Sequence, residues 1–381
     1  MAYEVTIARC DSYDDTLVKK SIEESLAPLG GLGSVVKKGD RVLIKLNLLA
    51  AKPPEAAVTT HPSVVKAVVR MVQELGAVPI VGDSPGGRST GTSYKSLLKT
   101  TGIQQVIDET GCEAARFDDE TVEVITESAR SFKKLKLAKA VVDADVIISL
   151  PKLKTHTLAY FTGAIKMLYG YLPGITKTEY HLHTARDVNM FAGLLLDIHE
   201  ARKPDITIMD AIVGMEGAGP QHGSPRSIGL ILASKSCTAL DFVATTIAGF
   251  EPLKVPTVKL AHERGIGPGA LKEITVYGCP VEPLIIKDFK KPPTMSMERI
   301  PPVLLNAARR LVSNRPRIDV SRCVKCGICA RDCPPKAMKF TKGAAPVIDQ
   351  GKCIRCYCCQ ELCPEGAVYV AKPFVRKIIG R

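Results

Sequence analysis

The sequence predicts an α/β body, a mainly parallel sheet with helices on both faces, followed by a small α+β domain rich in cysteine. Three observations predict it. Residues 42–83 read strand, helix, strand, which implies a right-handed crossover and parallel pairing. Short apolar strand segments then recur along the chain as far as residue 278. Finally, nine of the thirteen cysteines crowd between residues 323 and 363.

The elements follow in order. VLIKL (42–46) is a short apolar run with β-branched members, as a buried strand requires. Pro62, after Thr60 and His61, suits the first turn of a helix. Val64, Val65, Val68, Val69, Val72 and Leu75 continue it as an apolar stripe that ends at Gly76. VPIVGD (78–83) supplies the next strand. VIISL (146–150), ITIMD (206–210), IGLILA (228–233) and ITVYG (274–278) are further strands, with LDFVATTIAGF (240–250) a helix between the last two. The body therefore spans 1–290. Four prolines in KKPPTMSMERIPP mark a linker over 291–310. VLLNAARRLVS, from 303, is a short amphipathic helix expected to pack on the body. Residues 311–381 form the cysteine-rich domain.

Composition narrows the function. The chain has 381 residues, 45% hydrophobic and 24% charged, enough for a sizeable core and two or more domains. No run approaches the length of apolar sequence that crosses a membrane. Acidic residues stand where a signal peptide would be positive, so a cytoplasmic location is expected. Net charge is +13, and residues 311–381 carry 14 Lys/Arg against 5 Asp/Glu. Such a tail suits nucleic acid or an anionic metal cluster. No helix-turn-helix or aromatic-rich RNA motif accompanies it, which disfavours nucleic acid. Cysteine in a long chain without a secretory start points to metal rather than disulfides. Cys10, Cys112, Cys237 and Cys279 are scattered and read as packed thiols.

CVKCGICARDCPPKAM and CIRCYCCQELCPEGAV repeat thirty residues apart, each C-x2-C-x2-C-x3-C-P. The tail is similar to bacterial two-cluster ferredoxins, whose ligand run this is. The resemblance implies two [4Fe–4S] clusters. It assigns Cys323, Cys326, Cys329 and Cys363 to the first, and Cys353, Cys356, Cys359 and Cys333 to the second. A zinc site would leave the regular spacing of eight cysteines unexplained. Aligning the halves sets Cys358 against Ile328, a packing position. Tyr357 falls opposite Gly327, where it is expected to shield a cluster from water.

Four polar loops follow strand candidates in the body, where open parallel sheets bind ligands. DSPGG offers Asp83 as a metal or hydroxyl ligand, with Ser84, Gly86 and Gly87 presenting backbone to an anion. It lacks the spacing of a Walker A or G-x-G-x-x-G loop. PKLKTH gathers Lys152, Lys154 and His156, and Lys166 follows, a set that suits an anionic substrate. Lys154, His156, Lys166 and Asp83 are the catalytic candidates, and His156 is expected to move a proton near neutral pH. Gly217 and Gly219 in GMEGAGPQHG give a backbone that turns sharply or meets a ligand. His181 and His183 could share a metal only in an extended loop.

IKLNLL, TTHPSVVKAVV, VGDSP, LPKLKTHTLAYFTGAIKMLYG, DAIVGMEGAGPQHGSP and LDFVA together resemble the family called domain of unknown function 362. The resemblance covers roughly 40–280 and implies the domain arrangement, a two-cluster ferredoxin module often being fused at the end. It supplies no reaction. Met167 stands where asparagine is expected in many relatives, which argues against a polar catalytic role there.

Two functions compete. In one, a ferredoxin-linked oxidoreductase passes low-potential electrons from the tail to a small anionic substrate or an unidentified cofactor in the body. In the other, a non-enzymatic electron carrier or a cofactor or metal maturation protein docks on a partner enzyme. The tail is expected to fold back over the body, setting one cluster beside the 83–88 and 152–156 loops.

Overall fold

The computed structural model describes residues 3–85, 91–184, 187–295 and 314–371. Gly86 and Gly87, most of the 291–310 linker and the helix expected from 303 lie outside them.

Among the described residues one ten-stranded sheet organises the body. Its strands are β1 (Tyr3–Arg9), β2 (Arg41–Lys45), β3 (Val78–Asp83), β4 (Glu113–Arg116), β7 (Val146–Ser149), β8 (Lys152–His156), β9 (Tyr160–Thr162), β10 (Ile206–Glu216), β11 (Ser224–Ser234) and β12 (Ile274–Gly278). A separate hairpin joins β5 (Thr121–Ile125) to β6 (Lys134–Ala138). The main order is β12-β1-β11-β10-β7-β2-β3-β4. Pairing is parallel through β10, β7, β2, β3 and β4, and antiparallel on both sides of β11.

Period-2 alternation builds the layers. Val42 and Ile44 point into one hydrophobic core, and Leu43 between them points into the other. Helices Asp15–Leu26 and Pro62–Glu74 cover the first face; Val188–Ala201 and Cys237–Ile247 cover the second. Helix Pro62–Glu74 starts as its sequence demands: Pro62 opens it, and the His61 ring nitrogen accepts from Ser63 N at 3.2 Å.

PKLKTH is not a loop. β10 runs eleven residues, past the end of β7, and leaves its last half unpaired on that side. β8 takes up the pairing after Pro151, with Asp210 opposite Lys152 and Met215 opposite Lys154. The DAIVGM segment, expected to be irregular after Asp210, is therefore strand to Glu216.

The C-terminal module has two small antiparallel pairs, β13 (Arg315–Ile318) with β16 (Val368–Ala371) and β14 (Met338–Lys339) with β15 (Val347–Ile348). Each cysteine run ends in a one-turn helix, Ile328–Arg331 or Cys358–Glu361. Gly327 and Tyr357, the residues before them, both have left-handed backbone, at φ 73° and 60°. At Gly327 a Cβ would collide with the Phe340 ring, so glycine is required there; Tyr357 bears the strain.

The module packs on the body. Ile354, Cys356, Tyr357 and Cys358 belong to the body's own core cluster. Gln360 Nε2 donates to Ala218 O, while Thr157 Oγ1 lies 2.8 Å from Gln360 Oε1. Lys52 Nζ donates to Pro364 O at 2.7 Å.

Candidate functional site

Between body and module lies a crevice of about 300 Å³. Lysines dominate it. Lys154 is buried and donates to Asn47 Oδ1 at 2.8 Å and Val58 O at 2.6 Å. Lys177, from helix Gly174–Thr184, donates to Ser84 O at 2.6 Å. Lys45, behind the wall, meets Asp83 Oδ1 at 2.8 Å and donates to Leu46 O. Lys166 lies over the Tyr169 and Phe191 rings, 5.0 and 5.6 Å from their centres.

Burial disfavours the charged form of each amine. It draws Lys154 down to about 7, with Lys166 and Lys152 adding repulsion, and Lys177 down to about 8. Lys45 and Lys166 are lowered for the same reason. Asp83 is committed: beyond Lys45 it accepts from Leu48 N and Ser84 N, so it fixes the loop after β3. Ser84 binds Asp118 through its hydroxyl.

His156, expected to move a proton near neutral pH, is buried and its ring is held by backbone N–H groups. Its Nδ1 accepts from Leu158 N and Ala159 N, at 3.0 and 3.1 Å, and thereby holds the turn after β8. Burial, with Lys166 and Lys154 beside it, keeps the ring neutral far below the usual histidine range. Its Nε2 lies 3.2 Å from Glu361 Oε1, yet that oxygen makes no hydrogen bond of acceptable angle among the described residues. Thr162 Oγ1 and His181 Nδ1 are likewise unpartnered, and all three residues line the crevice.

Other sequence candidates lie elsewhere. Lys152 ends at Asp210, 2.9 Å away, and at the Tyr13 hydroxyl, in a buried network that does not line the crevice. Gly219 presses on the backbone of Thr155, where a Cβ would collide, and donates to Thr155 Oγ1. Gly217 N donates to Lys290 O. His181 and His183 stand on a helix, not an extended loop, and i,i+2 spacing there turns them apart: His181 is buried and His183 exposed. Cys358 is buried as expected of a packing residue, but it also lines the crevice.

Several site residues escaped the sequence reading. Lys45 carried a signal, a charge inside the apolar run VLIKL. Lys177, Thr162 and Glu361 carried none, because they join the site only when helix, strand and module meet.

The expectation of two bound [4Fe–4S] clusters is corrected. The cysteines do segregate into the expected quartets. Cys323, Cys326, Cys329 and Cys363 line one cavity, and Cys333, Cys353, Cys356 and Cys359 another. Each cavity has about 20 Å³, roughly the room one water needs. Among the described residues no group of three or more His, Cys, Asp or Glu side chains is placed to hold a metal ion. The thiols as arranged do not fit the cluster, and Tyr357 both lines the second cavity and packs in the core shared with the body. Iron and sulfide analysis of anaerobically purified protein bears directly on this correction.

An α/β body with a lysine-lined crevice, closed by a ferredoxin-type module, defines the class. The chain belongs to the family described as domain of unknown function (DUF362), whose model matches residues 42–246; the 4Fe-4S dicluster domain model matches 322–367. It is 37% identical over 297 residues to the thylakoid-associated protein sll1697 of Synechocystis sp., covering 77% of this chain and 88% of that one. Among solved structures it is similar to the lactate racemase apoprotein of Thermoanaerobacterium thermosaccharolyticum, at TM-score 0.40 and 14% identity, over 62% of this chain and 54% of that one. A Thermotoga maritima protein gives TM-score 0.38 and 17% identity, over 60% and 57%. Among the described residues no helix is long and apolar enough to cross a membrane.

Proposed function

We propose that this protein is a non-enzymatic carrier or maturation protein. Its body holds a small anionic ligand, the C-terminal module covers that ligand, and a partner enzyme receives it. One observation carries the reading: the crevice of about 300 Å³ has walls from both modules and concentrates desolvated lysines there. That size lies at the lower end of small-molecule sites. Buried amines that repel one another, with Asp83 already paired to Lys45, gain most from an incoming anion. The unpartnered Thr162 Oγ1 and His181 Nδ1 give a ligand further polar contacts.

The competing oxidoreductase reading routes electrons through the clusters corrected above, so no step is built on it. Calorimetric titration of the full chain with phosphate and with small carboxylates tests the proposal. One anion per chain is expected, with affinity reduced about tenfold in Lys177→Ala, since each such contact contributes on the order of 1 kcal/mol or more. Absence of binding, or equal binding by the variant, overturns it. Turnover of the anion by the isolated chain would make the protein an enzyme instead.

A further inference from the structure

We propose that Lys166 holds the ligand covalently, its amine condensing with the carbonyl of an anionic aldehyde or ketone to form an imine. This rests on the anion-binding reading above and extends it to a chemical class of ligand. Among the described residues the other crevice lysines are tied down: Lys154 to Asn47 Oδ1 and Val58 O, Lys177 to Ser84 O, and Lys336 to Arg331 O. Lys166 makes no hydrogen bond among them. It lines the crevice, partly buried, with its amine over the faces of Tyr169 and Phe191 and the Glu361 carboxyl in the same crevice.

An amine with nothing to donate to is a poor structural choice, because burial of an ammonium normally demands acceptors. It is a good nucleophile. Desolvation favours the neutral form and outweighs the opposing pull of Glu361 and Cys358, and the neutral form is the one that attacks a carbonyl. The two ring faces then stabilise the protonated imine, a cation of the same position. Lys154 and Lys177 supply the charge that holds the ligand's anionic end, leaving Lys166 free to react. The step balances without a co-reactant. The nitrogen–carbon bond forms, the carbon–oxygen double bond breaks, the oxygen leaves as water with the two amine hydrogens, and one proton from solvent converts the imine to its protonated form. No oxidation or reduction is involved.

The position of Lys166 is held from behind. Asp241, buried under its one-turn helix, accepts from Ala164 N and Ile165 N. This fixes the backbone from which Lys166 projects.

The test uses the full chain, glyoxylate as the probe and cyanoborohydride to reduce any imine in place. Intact mass and peptide mapping read the product. One carboxymethyl adduct per chain, at Lys166, is expected. Glycolate, which has the carboxylate but no carbonyl, should compete with its formation. Lys166→Arg and Lys166→Met should both lose the adduct, and circular dichroism confirms folding of each. Adducts spread evenly over many lysines, or an undiminished adduct in both variants, overturn the proposal. Glycolate and glyoxylate binding without any adduct overturns the imine but leaves the anion reading standing. No binding of either overturns both.

Discussion

Asp241 sits in the core and is held by two backbone N–H groups, Ala164 N at 2.6 Å and Ile165 N at 3.0 Å, rather than by a cation. Burial pushes its carboxyl up to about 7. The folded state therefore keeps a proton that the unfolded chain has released above its ordinary carboxylate range. Stability from this group is full at low pH and declines as pH rises toward about 7. In urea titrations across that interval, Asp241→Asn should lose this decline, so its stability relative to the natural protein rises with pH. Lys154 gives the converse test on binding. Its amine gains charge as pH falls through about 7. Anion affinity should rise over that interval in the natural protein and rise less steeply in Lys154→Met, where Lys177 still gains charge, by calorimetry. Both residues act through burial, which no local pattern announces: Asp241 lies in an apolar helix and reads there as an isolated polar position.

At the scale of elements, the one-turn helices and the strand that carries the lysines set the crevice. Gly170 lies within the helical turn Leu168–Tyr171 that follows Lys166, and a Cβ there would collide with Asp83 and Lys45. Gly170→Ala should force that buried pair apart. A loss of about 1–3 kcal/mol is expected from overpacking, read as a lower denaturation midpoint, together with weaker anion binding. An unchanged midpoint would mean that the pair yields easily. Strand Ile274–Gly278 and helix Pro62–Glu74 were legible because their apolar periods are clean and their ends carry glycine and proline signals. β8 was not legible. Its Lys-x-Lys-x-His alternation is polar, and only pairing with β10 makes it a strand.

At the scale of the whole molecule, Gln360 joins module to body. It contacts Thr157 and Ala218 through its side chain, and its carbonyl lies 3.0 Å from His222 Nε2. Gln360→Ala removes two of these contacts and leaves Thr157 and Ala218 to find other partners. Hydrogen exchange should accelerate in β8 and in helix Cys358–Glu361 while helix Pro62–Glu74 keeps its protection. Anion dissociation should quicken in parallel, as the module forms one wall of the crevice. Exchange unchanged at both places would show that the apolar contacts of Tyr357 and Cys358 suffice for docking.

Local sequence carried the parallel core strands, the position of the module, the duplicated cysteine runs and the choice of Lys154 and Lys166 as candidates, both of which line the crevice. Those features rest on local chemistry: a two-residue period, a helical stripe, a spacing of three. Tertiary structure alone decided that Lys152 belongs to Asp210 and Tyr13, that His156 is a neutral turn-holder, and that Lys45, Lys177 and Glu361 complete the site. It also decided that, among the described residues, no three of the cysteine side chains are placed together to hold a metal ion. The physical reason is common to all of these. Burial and tertiary contacts set the charge and orientation of a side chain, and partners as far apart in sequence as Lys152 and Tyr13 supply them.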